Sequence, residues 1–99
     1  MRIAIAQQNY HVGNFQDNTR QIIEGIEWAK SQQADLVLFS ELSICGYPPR
    51  DFLEFDDFIR QCYSAIETIK AHADTIAVLV GAPDRNPVRE GKDLFNAAF

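Results

Sequence analysis

The feature that most constrains this chain is the run Leu36-Val37-Leu38-Phe39, apolar without interruption, followed by Glu41 and then by Gly46, Pro48 and Pro49. A solid apolar run of this length suits a strand covered on both faces, as in a parallel sheet. Gly and Pro in close succession end any regular element. Residues 35–52 therefore read as a buried strand, an acid and a rigid turn. Open α/β sheets place their ligand sites at the carboxyl ends of such strands.

The remaining chain can be laid out around that strand. Residues 3–6 (Ile-Ala-Ile-Ala) form a short apolar run, read as a first buried strand, with Gln7, Gln8 and Asn9 at its carboxyl end. His11, Gly13 and Asn14 mark a loop. A helix follows, with Asn14 or Asp17 as N-cap. Ile22, Ile23, Ile26 and Ala29 give it one apolar face. Gly25 either weakens that helix or marks close packing, and residues 31–33 end it. Strand, helix and strand at this spacing fit a right-handed βαβ unit with parallel strands.

After the Pro48-Pro49 turn, Phe55, Phe58, Ile59, Cys62, Ile66, Ile69 and Ala73 recur at three- and four-residue steps. They predict a second helix with a core-facing stripe. Glu54, Asp56 and Asp57 at its start suit the positive end of the helix dipole, and Lys70 and His72 lie near its other end. Residues 76–80 are a third apolar strand, closed by Gly81 and Pro83. Residues 84–92 read as a polar loop, and residues 94–99 as a fourth strand. The loop is too short for a helix, so this strand is expected to pair antiparallel with the third as a hairpin. The expected fold class is α/β, in the order β-α-β-α-β-β. The chain stops inside a strand, so a longer protein is expected.

A net charge of −5 argues against nucleic acid and anionic membranes as partners. No apolar run approaches the roughly 20 residues of a membrane helix. The amino terminus goes directly into a strand-like pattern without the apolar core of a signal peptide, so a cytoplasmic protein is expected. An unfinished sheet favours pairing with another chain, so a homo-oligomer is expected.

Glu41 is the leading candidate for chemistry. An apolar strand beside it would raise its pKa and make it a better base near neutral pH. On spacing alone it could equally cap a turn or pair with Arg50. Tyr47, between Gly46 and Pro48, would be held in the turn with its hydroxyl available as a donor, or simply be packed over the loop. Arg50 and Asp51 could fix the turn as an ion pair or be two solvated charges. Cys45 is close to Glu41, but no His accompanies it and Ile44 beside it suggests packing. Cys62 lies on the second helix's apolar stripe. His11 and His72 have no ligand-spaced partners for a metal. Neither a Gly-x-Ser-x-Gly elbow nor a Gly-rich phosphate loop is present.

At these residues the sequence resembles the nitrilase, or carbon–nitrogen hydrolase, superfamily. The likeness runs through the opening Ile-Ala-Ile-Ala-Gln-Gln, residues 14–33, residues 34–42, the Val80-Gly81-Ala82-Pro83 step and Leu94-Phe95-Asn96-Ala97-Ala98. Residues 46–52 (Gly-Tyr-Pro-Pro-Arg-Asp-Phe) are similar to a turn in the glutaminase domain of glutamine-dependent NAD+ synthetases, where Leu is usual in place of Phe52. The resemblance implies the amino-terminal portion, residues 1–99, of a nitrilase-like αββα sandwich with a Glu-Lys-Cys site. Glu41 matches the general base, and Tyr47 matches a tyrosine near the glutamine pocket. Neither Lys92 nor Cys45 matches the other two catalytic groups, which the family places further along the chain. No cofactor is implied for these residues. ATP and Mg2+, with deamido-NAD+ as substrate, are implied for a synthetase domain beyond them, and glutamine for the hydrolase. A free-standing amidase or nitrilase, and a non-catalytic α/β binding or assembly module, are the alternatives.

Overall fold

A computed structural model of the chain describes residues 1–47, 52, 55–85 and 94–99, with the backbone alone for 94–98. Pro48, Pro49, Arg50, Asp51, Glu54 and Lys92 lie outside the described residues, and so do the proposed Arg50–Asp51 pair and most of the loop expected at 84–92.

Strands β1 (Ile3–Ile5), β2 (Leu36–Leu38) and β3 (Ala77–Leu79) form a parallel sheet in that order. Helix α1 (Phe15–Ser31) joins the first two and helix α2 (Asp56–Lys70) the last two. This is the expected alternation. Asn14 is the α1 N-cap, its Oδ1 accepting the Asp17 N–H at 3.2 Å. Ile22, Ile26 and Ala29 are buried from α1, and Phe58, Ile59, Cys62, Ala65 and Ile69 from α2. Gly25 marks close packing: a Cβ there would meet the Phe39 ring at 2.9 Å. Phe55, counted on the second helix's stripe by spacing, is instead the exposed N-cap of α2.

The sheet has one covered face. Ala4, Val37 and Val78 share a row in register and turn toward the core. The opposite face carries Ile3, Ile5 and Leu79, which are 51%, 65% and 41% exposed, with Leu36 and Leu38 half-buried between them. The expectation that residues 36–39 form a strand covered on both faces is therefore corrected within these residues. Alternation has a period of two in a strand, so an unbroken apolar run places apolar side chains on both faces whether or not both are covered.

The third strand differs most from expectation. The extended chain does not close at Gly81 and Pro83. It continues as β4 (Gly81–Arg85), which pairs antiparallel with β5 (Leu94–Ala98) in a separate two-stranded sheet. The hairpin thus forms on β4 and not on β3, whose ladder is the parallel one with β2. Pro83 is tolerated for a geometric reason. Val80 and Phe99 exchange both backbone hydrogen bonds, at 3.0 and 2.8 Å. Antiparallel pairs alternate, so Pro83, opposite Asn96, falls at a position that needs no N–H. Asp84 and Arg85 belong to this strand, not to a loop. Their partner is α2: the Tyr63 hydroxyl donates to Asp84 Oδ1 at 2.6 Å and accepts the Arg85 N–H at 2.8 Å.

No helix among the described residues is long and apolar enough to cross a membrane.

Candidate active site

The carboxyl ends of β1, β2 and β3 all lead into one region, because parallel strands share their direction. The chain leaves β2 through Phe39, whose N–H donates to the Leu79 carbonyl at 3.0 Å, and turns at residues 41–45. The Gly46 N–H closes this turn on the Leu42 carbonyl at 2.8 Å. Leu42 adopts a left-handed backbone, φ +49°, a conformation that costs a residue with a Cβ about 1 kcal/mol. Surrounding contacts must therefore impose it.

Those contacts come from two neighbouring segments. The first is β4. A Cβ on Gly81 would lie 2.5 Å from the Leu42 nitrogen and 3.2 Å from the Glu41 carbonyl carbon, so only Gly lets β4 run this close under the turn. The Gly81 carbonyl accepts the Ile44 N–H at 3.3 Å. The second is the loop after β1. The Gly13 N–H donates to the Cys45 carbonyl at 2.9 Å. Gly46, at φ +86°, approaches so closely that a Cβ would sit 2.7 Å from the Val12 nitrogen. Asn18, in the first turn of α1, is completely buried between loop and turn. Its Nδ2 donates to the carbonyls of His11 and Ile44 at 2.7 and 3.2 Å, and its Oδ1 accepts the His11 N–H at 3.0 Å.

Glu41 is thus the exposed first residue of a turn whose next five residues, 42–46, are all buried. This departs from the apolar environment expected of Glu41: the apolar residues lie beneath it, within the turn, and the side chain itself faces solvent. Tyr47 stands at the other end of the turn, 63% exposed. The two predicted site residues therefore flank one rigid, buried base at the carboxyl end of the sheet.

Cys45 is buried in that base, its Sγ donating to the Gly46 carbonyl at 3.5 Å. Cys62 is buried beside it, and its thiol is pushed up by a hydrogen bond to Cys45 and by burial. Both fit the expected core role. Lys30 and Lys70 fall in the last turns of their helices, at the opposite end of the sheet from Glu41. Lys30 is engaged there by Asp74 at 2.7 Å and Glu27 at 3.3 Å. No group of three or more His, Cys, Asp or Glu side chains among the described residues is placed to hold a metal ion. What the site offers is an exposed glutamate at the head of a turn whose backbone is held from two sides.

Sequence reasoning missed Asn18, the left-handed Leu42 and the role of Gly81. Only Asn18 left a trace: it precedes Ile22 by four residues, a polar side chain on an apolar stripe.

The geometry has close counterparts. The chain is 41% identical over 99 residues to a glutamine-dependent NAD(+) synthetase of Xanthomonas campestris pv. campestris, covering 99% of this chain and 17% of that protein. A crystal structure of a glutamine-dependent NAD(+) synthetase from Cytophaga hutchinsonii superposes with a TM-score of 0.89 at 26% identity, over 99% of this chain and 16% of that one. An amidase from Nesterenkonia sp. superposes with a TM-score of 0.72 at 26% identity, over 85% of this chain and 32% of that one. The chain thus spans about a sixth of the length of the synthetases it matches. The carbon-nitrogen hydrolase profile matches residues 2–99, and the chain belongs to the carbon–nitrogen hydrolase family.

Proposed function

We propose that residues 1–99 are the amino-terminal portion of a glutaminase domain, and that Glu41 is its general base. The domain would hydrolyse the amide of glutamine and supply ammonia for the ATP-dependent amidation of deamido-NAD+ to NAD+. The observation that carries this reading is the turn at 41–46: three backbone segments converge to hold an exposed carboxylate in one place at the sheet's carboxyl end. The apolar face of Ile3, Ile5 and Leu79 suits a sandwich in which a second sheet covers it. The synthetases matched above carry glutamine dependence in their names.

The chemistry assigns Glu41 two proton transfers. Its carboxylate takes the proton of a cysteine thiol, and the thiolate attacks the amide carbon. The oxyanion is stabilised by a lysine ammonium. Glu41 then returns the proton to the departing nitrogen, ammonia leaves, and a thioester remains. In the second half Glu41 deprotonates water, which attacks the thioester and releases glutamate and the thiol. The lysine and cysteine would come from outside this chain. In a Glu-to-Gln mutant of the Nesterenkonia sp. AN1 amidase, acrylamide undergoes Michael addition at the active site cysteine, which supports cysteine as the nucleophile of the family. Tyr47, exposed beside the turn, would contact glutamine.

The test is Glu41→Gln in the whole protein. Loss of a positioned general base should lower glutamine-dependent NAD+ synthesis by about 10²–10⁴-fold while synthesis from added ammonia survives. Glutamine hydrolysis near the wild-type rate would overturn the assignment. The likeness to the amidase favours a second reading, a free-standing amidase. That reading predicts amide hydrolysis by the whole protein with no NAD+ formed from ammonia, ATP and deamido-NAD+.

A further inference from the structure

We propose that Asn18 is a positioning residue for Glu41, an inference that rests on the reading of Glu41 as base. Asn18 touches neither the acid nor, in this reading, the substrate. It acts through the turn.

A buried amide in a helix is an expensive choice. Asn is a poorer helix former than Leu or Ala by about 0.5 kcal/mol, and an amide left unpaired in the core would cost about 1–3 kcal/mol. Asn18 escapes the second cost by using both Nδ2 protons and its Oδ1. If the chain needed only volume at this point, an apolar residue would serve, as at Ile22 and Ile26 on the same face. What an apolar residue could not do is join two segments that make no regular ladder with each other. The loop at His11 ends β1, and the turn at Ile44 ends the excursion from β2. Asn18 holds a carbonyl of each, and a fully satisfied buried polar network selects one arrangement among many of similar packing.

From Ile44 the constraint reaches Glu41 without slack. The turn is closed by the Gly46–Leu42 hydrogen bond, Leu42 is fixed in its left-handed state, and Gly81 leaves no room below. A shift of the Ile44 carbonyl must therefore carry the whole turn, and the carboxylate with it. A proton transfer to a thiol tolerates little such movement.

The experiment uses the whole protein with Asn18→Ala, Asn18→Asp and, in parallel, Glu41→Gln. Asn18→Asp keeps the volume and the acceptor for the His11 N–H but removes both donors. The readouts are the thermal unfolding transition and the separate kcat and KM for glutamine hydrolysis. The expected result is a fall in kcat of about 100-fold in both Asn18 variants with KM for glutamine changed less than about threefold and a native transition retained. A role in packing alone would lower the unfolding transition of the variants and leave kcat unchanged in any that still folds. The proposal is overturned if a folded Asn18 variant keeps kcat within about threefold of wild type, or if KM rises with kcat unchanged. It is equally overturned if neither variant shows a native transition, since Asn18 is then a folding determinant. Full activity in the Asn18 variants beside an inactive Glu41→Gln removes the positioning role alone. An active Glu41→Gln removes the base assignment itself.

Discussion

Replacing Gly81 with Ala should damage stability and activity together. The new Cβ would stand 2.5 Å from the Leu42 nitrogen, about 0.9 Å inside the distance at which ordinary contact begins. Neither neighbour can yield as a flexible side chain would, because both are backbone. Either β4 backs away, losing the 3.3 Å bond from the Ile44 N–H to the Gly81 carbonyl, or the Glu41–Leu42 peptide lifts. Overpacking of this kind costs about 1–3 kcal/mol. The Gly81 backbone is not left-handed, so Ala recovers about 0.4–1 kcal/mol through the unfolded chain. A net loss of about 1–2 kcal/mol should lower the calorimetric transition of the hydrolase unit by several degrees. If the peptide lifts, the carboxylate moves by a similar fraction of an ångström, and kcat for glutamine hydrolysis should fall by about 10–100-fold. Calorimetry and steady-state hydrolysis on the same preparation separate the two responses. An unchanged transition with kcat within about twofold of wild type would refute the account of how the turn is held.

Two further outcomes follow from single side chains. Burial pushes Tyr10 up to about 12, and its hydroxyl donates to Gln8 Oε1 at 2.6 Å. A phenol raised in the folded state stabilises below its ordinary pKa and loses that contribution as pH climbs through the folded value. Tyr10→Phe should therefore flatten the loss of stability on the alkaline side above about pH 10, as read by denaturation at a series of pH values; an identical alkaline limb would argue against it. Ser43 is fully buried, and its Oγ has no hydrogen-bond partner among the described residues. Ser43→Ala should be neutral or stabilising by up to about 1 kcal/mol, and a clear destabilisation would mean that another part of the whole protein satisfies the hydroxyl.

How far the sequence carried the structure depends on the range of the forces involved. The runs at Ile3, Leu36 and Ala77 became parallel strands because each is followed or preceded by a helix-period stripe, and that pattern is local. Asn14 was legible as one of two candidate caps, with Asp17, and Gly25 as either a weak point or a packing point. The end of the third strand was not. Gly81 and Pro83 look like breakers, and their tolerance in β4 depends on register with residues more than ten positions away. The site divides in the same manner. Glu41 could be singled out because a buried run stops just before it. The clamp on its turn could not, because Asn18, Gly81 and Gly13 are remote in sequence and engage backbone atoms of the turn, which every residue possesses. The exposure of Glu41 was not legible, because apolar neighbours in sequence need not be neighbours of the side chain in space.

The uncovered sheet face bears on synthesis. Within the β-α-β-α-β portion each strand pairs with the next strand and α1 packs on α2, so this portion can assemble soon after it leaves the ribosome, and the Glu41 turn is set once β4 has followed. Relatives of this family matched above are about six times as long. At roughly 5–20 residues per second a chain as long as those relatives takes tens of seconds to complete, and until something covers them the rows containing Ile3, Ile5 and Leu79 would face solvent. An apolar surface held open that long invites chaperones and neighbouring nascent chains alike. Selection on Ile3 and Ile5 is thus pulled two ways, toward the packing of the finished domain and away from stickiness in the unfinished one.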